Sequence, residues 1–159
     1  MNPLDVLKYG HHTVLKVVDG LPEVDWHTPG AVGVWTVKDV VAHLASHEQV
    51  FVEILQSLLG EATTPTLDRF KQGTAEFNDP EVLRRRPMSV AAVLAELADA
   101  HAQTLVLLPQ LPEELRRRAG ALPWYGAEYD LEDFICYGVY GHKREHSAQI
   151  DGHRSRLGR

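Results

Sequence analysis

The sequence holds one cysteine, Cys136, in 159 residues. An internal disulfide is therefore impossible, and a reducing compartment, the cytoplasm, is the expectation. A basic surplus is also missing: 16 Lys and Arg stand against 22 Asp and Glu, a net charge of −6. A chain of that sign repels phosphates and anionic headgroups, so neither nucleic acid nor a membrane is the expected partner. No unbroken apolar run approaches the roughly 20 residues that span a bilayer. The opening Met1-Asn2-Pro3-Leu4-Asp5 has neither the basic nor the apolar part of a secretory signal. Alternating apolar and polar residues, the mark of half-buried strands, form no run either, which points to an all-α chain. The length suits a single domain over residues 1–159.

Helix signals fill the space these absences leave. Asn2 caps a first helix with Pro3 at its first position and Gly20 as its stop. Thr36-Val37-Lys38-Asp39 resembles a capping box and opens a second helix, Val37 to Leu59, stopped by Gly60. Its stripe of Val37, Val41, Leu44, Phe51, Leu55 and Leu58 has a helical period. Ser89 caps a third helix, Val90 to Leu108, ended by Pro109. Asp130-Leu131-Glu132-Asp133 opens a fourth, running to Ser155. The connection from Gly60 to Met88 is long enough to be a crossover or a functional flap, with a short helix expected near Leu67–Phe77. Two arginine triplets, Arg84–Arg86 and Arg116–Arg118, read as solvated faces or carboxylate partners. Leu-Pro-Glu occurs at Leu21 and again at Leu111, each time ahead of a tryptophan and a helix cap, a faint internal echo.

Nine histidines are the unusual content. His142 and His146 are four apart on the fourth helix, so their rings share one face, which Leu131, Ile135, Gly138 and Gln149 are expected to continue. Two buried imidazoles need partners, and one divalent ion can serve both. Hydrogen bonds to backbone or carboxylates are the alternative, since this spacing alone is a weak motif. His43 and His47 form a second such pair on the shoulder of the second helix's stripe, and His43 supplies a third ligand. Depth supports this. With the two helices antiparallel, His43 is level with His142 and His146 to within about 1.5–7.5 Å; with them parallel the mismatch is about 7.5–13.5 Å. Cys136 reads as core. Glu48 and Glu145 are possible general bases or histidine partners, and surface positions explain them as well. His11, His12 and His101 are read as surface or satisfied core, and Trp26, Trp35 and Trp124 as packing under loops.

Trp35-Thr36-Val37-Lys38-Asp39-Val40-Val41-Ala42-His43-Leu44-Ala45, together with His142-x-x-x-His146-x-x-Gln149-Ile150, resembles the DinB/YfiT-like superfamily of metal-dependent proteins. The resemblance implies a four-helix bundle of up-down-down-up order with a long crossover between the second and third helices. It implies one zinc or nickel ion on His43, His142 and His146, with His47 beside it rather than on it; Glu48 and Glu145, read from the residues alone, remain candidates for places around it. It further implies a small-molecule substrate and a thiol cofactor, bacillithiol or mycothiol, used in S-transfer or isomerisation. Three neutral imidazoles leave an ion its full charge and an open position, where a water or thiol loses its proton more readily than in bulk. A non-catalytic, metal-binding or ligand-sequestering stress-response bundle is the alternative. Related bundles are often dimers, and a homodimer is expected.

Overall fold

The computed structural model describes residues 1–159, and every regular element in it is helical. Four long helical stretches carry the fold: α1 (Pro3–Val18), α3 (Val37–Leu58), α6 (Val90–Leu107) and a C-terminal run of α8 (Leu131–Phe134), a π-helical segment (Ile135–Gly141) and α9 (His142–Arg156). Short helices α2 (Glu23–Trp26), α4 (Pro65–Lys71), α5 (Thr74–Arg85) and α7 (Glu113–Arg116) fill the connections.

The caps act as the sequence implies. Asn2 accepts from Leu4 N–H and Ser89 from Ala92 N–H, and Thr36/Asp39 and Asp130/Asp133 both close complete capping boxes. The connection between α3 and α6 differs from expectation. Instead of one helix near Leu67–Phe77 it holds two, separated at Gly73, whose φ of 143° lies outside the helical region. Each Leu-Pro-Glu starts a four-residue helix, α2 or α7, with Pro22 and Pro112 at matching ψ values of 145° and 144°. The echo is one local turn used twice.

The C-terminal run departs from a regular α-helix through its π segment, so the face extrapolated from a 3.6 period shifts. The buried stripe is Leu131, Phe134, Ile135, Val139, Lys143, His146 and Ile150; Gly138, His142 and Gln149 lie half-buried beside it. Packing fixes directions. His43 meets His142, Glu48 meets Lys143 and Phe51 meets Phe134, so α3 runs antiparallel to the C-terminal run. Met1 touches Cys136, Gly10 approaches Tyr140, and Arg154 donates to the Val17 carbonyl, so α1 runs parallel to it.

The stretch Val90–Gln110 is long and apolar enough to cross a membrane by composition, with a mean hydropathy of 1.3. That qualifies the sequence reading, in which no such run stood out. Its polar breaks explain the difference: Glu96 pairs with Arg85 and His101 faces Glu48, while Val93, Leu97 and Leu108 are buried in the core.

Apolar side chains gather in two clusters, one around Phe51, Ile54, Leu108, Leu131 and Phe134, the other around Val14, Val41, Leu44, Leu97 and Ile150. Each long stretch changes cluster along its length, and at the change it carries polar residues. His11 lies between Leu7 and Val14, His43 to Glu48 between Val41 and Phe51, His101 between Leu97 and Leu108, and His142 to His146 between Val139 and Ile150. The molecule thus has a transverse polar layer between two apolar cores. The arginine triplets find carboxylates. Arg85 is buried on Glu81 and Glu96, Arg86 reaches Asp39, and Arg116 and Arg117 reach Glu132.

Candidate metal centre

The layer brings four imidazoles together. His43 Nε2 lies 2.8 Å from His142 Nε2, which lies 3.0 Å from His146 Nε2. His47 joins from one turn along α3, its ring centroid 4.3 Å from that of His43 and 4.5 Å from that of His142. His43, His47 and His142 each offer a ring nitrogen within 4.8 Å of the others. His47 therefore sits closer to the centre than a merely supporting role required. Trp35 covers His43 at a centroid distance of 5.1 Å.

Two rings are oriented by amides. His146 Nδ1 lies 2.7 Å from Gln149 Oε1, and His47 Nε2 lies 3.0 Å from Asn78 Oδ1. An amide oxygen only accepts, so each ring holds its proton on that side and leaves the other nitrogen bare. All four rings are held neutral. Burial pushes His43 far below the ordinary imidazole range, helped by His47, His142 and His146. Burial, then His47 and His146, brings His142 down to about 2. Burial also lowers His47 and His146, against the opposing pull of Asn78 and Gln149.

Neutral rings cannot satisfy these contacts by themselves. His146 Nε2 is bare. If His142 Nε2 carries a hydrogen, that hydrogen cannot point at both His146 and His43. If His142 Nε2 is bare, two lone pairs face each other across 3.0 Å. His43 Nδ1 is buried with no partner of its own. A cation shared by the converging Nε2 lone pairs resolves the conflict among His43, His142 and His146, with the His43 proton then on Nδ1, so the donor set fits a borderline metal such as zinc or nickel.

Beside the imidazoles, Glu48 and Lys143 form a buried ion pair, Oε2 to Nζ 2.6 Å, with both side chains almost wholly enclosed. Burial raises the Glu48 carboxyl, but Lys143 and then His101 outweigh it and hold it below the usual range. His101 lies 3.4 Å from Glu48 Oε1 and stacks on His11 at 4.0 Å. Burial, then the nearby His101 and Lys143, lowers His11 to about 4. Glu48 thus faces Lys143 and His101, whereas Glu145 is exposed on the rim of a cavity. His12 is exposed, and Cys136 is half-buried with its Sγ 3.5 Å from Met1 Sδ, outside the histidine group.

That cavity, of about 330 Å³, reaches His47 and His142. Phe70, Trp124, Tyr125 and Phe134 form its walls, and the π segment contributes Tyr137, Gly138 and Val139. Trp124 was expected merely to pack under a loop, and Lys143 was not singled out at all. A signal for Lys143 existed: it falls on the buried stripe of Val139, His146 and Ile150. Trp124 gave none, because the loop that carries it is placed only by tertiary contacts.

Residues 7–150 match the DinB superfamily. The chain belongs to that superfamily. A Bacillus licheniformis protein described as a "putative metal-dependent hydrolase" is 30% identical over 154 residues, 96% of this chain and 83% of the relative. A Bacillus cereus relative of the same description is 29% identical over 149 residues, covering 92% and 80%. No solved structure matches significantly. The superfamily resemblance drawn from the histidine segments is therefore shown, and metal dependence is the property its described relatives share.

Proposed function

We propose that this DinB-superfamily chain is a metal-dependent enzyme whose His43, His142 and His146 hold one zinc or nickel ion at the inner end of the aromatic cavity. The observation that carries this is the convergence of three Nε2 atoms at 2.8 and 3.0 Å with too few hydrogens to satisfy them. A divalent ion bound there would lower the pKa of a small nucleophile and polarise an electrophile. Gln149 fixes the His146 tautomer, Asn78 fixes that of His47, and the aromatic walls offer an apolar surface for a substrate to pack against.

The reacting nucleophile comes from outside the protein, since Cys136 is remote from the imidazoles. Water suits the hydrolase description of the relatives. The finer reading, S-transfer or isomerisation with bacillithiol or mycothiol, is supported by the superfamily resemblance of the histidine segments. A cytoplasmic location is part of that reading. We read the helix directions as an up-down-down-up four-helix bundle forming one domain over residues 1–159, with α4 and α5 in the crossover.

Metal analysis tests the site. Purified protein should carry about one ion per chain. His142→Ala and His146→Ala should each lose it, while His47→Ala should retain most of it. Loss in His47→Ala as complete as in His43→Ala would move His47 into the ligand set. Undiminished metal in both helix-nine variants would rule the site out. Assays against an activated ester and against an alkyl halide with each thiol separate the two reactions.

A further inference from the structure

The rings around the cavity stand across one another rather than in parallel. Trp124 meets Phe70 at a centroid distance of 5.8 Å and an angle of 81°, and meets Phe134 at 5.8 Å and 76°. Tyr125 meets Phe134 at 4.9 Å and 90°. Parallel rings form a slot for a flat ligand, whereas crossed rings form a corner that a rounded group fills. Phe70, Trp124 and Tyr125 are half-buried, so part of each ring is open. An aromatic face carries negative potential and attracts a cation placed over it. The charges nearby have the same sign. Glu48 and Lys143 are enclosed and cancel each other at 2.6 Å, while Glu145 is exposed on the rim. Arg144 is turned to Tyr140. Behind the wall, the Asp130 and Asp133 carboxylates accept from each other's backbone N–H. Burial raises the Tyr125 hydroxyl, and Tyr129 and Asp133 raise it further, so the Asp133 charge is felt at the wall.

We propose that the outer part of the cavity binds a quaternary ammonium group, its methyls against Phe70, Trp124 and Tyr125 and its charge toward Glu145. A primary ammonium brings three N–H donors, for which the ring faces are poor acceptors. A quaternary ammonium brings none, so it loses no hydrogen bond on leaving water for an aromatic corner. The rest of the ligand extends inward toward His47 and His142, at the other end of the same cavity. That this inner part reacts rests on the metal-enzyme reading; that the ammonium binds does not.

The test is titration of the full chain as purified with choline, with its uncharged isostere 3,3-dimethylbutan-1-ol and with 3,3-dimethylbutanoate, followed by calorimetry and tryptophan fluorescence. Choline should bind about fivefold or more tightly than the alcohol, and the carboxylate should bind weakest. Trp124→Leu should remove most of the preference for choline over the alcohol. Glu145→Gln changes an exposed side chain, so the fold is kept. It should weaken choline by about two- to fivefold and leave the alcohol within about 1.5-fold. Equal affinity for choline and the alcohol, a carboxylate that binds as well as choline, or a preference unchanged in both variants would overturn the proposal. Zinc content measured on the same samples keeps the two readings apart. Zinc uptake without selectivity for choline defeats this inference alone, whereas selectivity in a chain that takes up no metal defeats only the metal reading.

Discussion

His142 touches both His43 and His146 through a single nitrogen, which makes it the residue on which the whole layer turns. Its neutrality has a consequence for stability. The folded value near 2 lies below the roughly 6.5 of an exposed imidazole, and His11, at about 4, behaves alike. Between those limits the unfolded chain binds more protons than the folded one, so stability falls as the pH falls. Each imidazole that stays neutral on folding contributes a loss on the order of 1 kcal/mol per pH unit below about 6.5. The melting temperature of metal-free protein should therefore drop between about pH 7.5 and about pH 5.5. A flat profile would mean that these rings accept protons in place.

Among the elements, the π-helical segment Ile135–Gly141 lines the cavity with Tyr137, Gly138, Val139 and Gly141, a setting in which such segments often occur. Gly138 is its tightest point. A Cβ there would fall 2.7 Å from the Phe134 ring. That ring is held by Trp124 at 5.8 Å and Tyr125 at 4.9 Å, so it has little freedom to retreat. Gly138→Ala should destabilise the protein by about 1–3 kcal/mol, read from urea unfolding. Unchanged stability would show the aromatic wall to be loosely packed. On the opposite side α5 is fastened to α6 through Arg85, whose guanidinium bonds Glu81 and Glu96. Burial raises the Glu81 carboxyl, but Arg85, Arg69 and Arg84 together bring it down to about 2, which keeps this fastening ionised.

For the whole molecule, the surface opposite the cores matters. Met1, Tyr9 and Tyr137 are 85%, 59% and 67% exposed, and with Val6 and Tyr140 they line one apolar groove between α1 and the π segment. Aromatic residues collected in this way suit an interface, and a homodimer is the expected assembly. Light scattering at micromolar concentration should give about twice the 17.8 kDa chain mass, and Tyr137→Glu should shift it toward the monomer. A monomer in wild type would refute the dimer.

The sequence by itself determined the all-α class, the long helices and their caps, because capping and helical period are local properties that need only neighbouring residues. Asn2, Thr36, Ser89 and Asp130 could be read directly. Spacing also put His43 with His47, and His142 with His146, on common faces. Only the tertiary structure decided that His11 and His101 lie in the same layer, that Glu48 turns to Lys143, and that Trp124 closes a cavity. Those facts depend on how far one helix slides past another and on where an irregular loop returns. The π segment was hidden for a related reason: no residue marks it, and its cost is offset by packing against α1 and Phe134, which a single helix read alone cannot reveal.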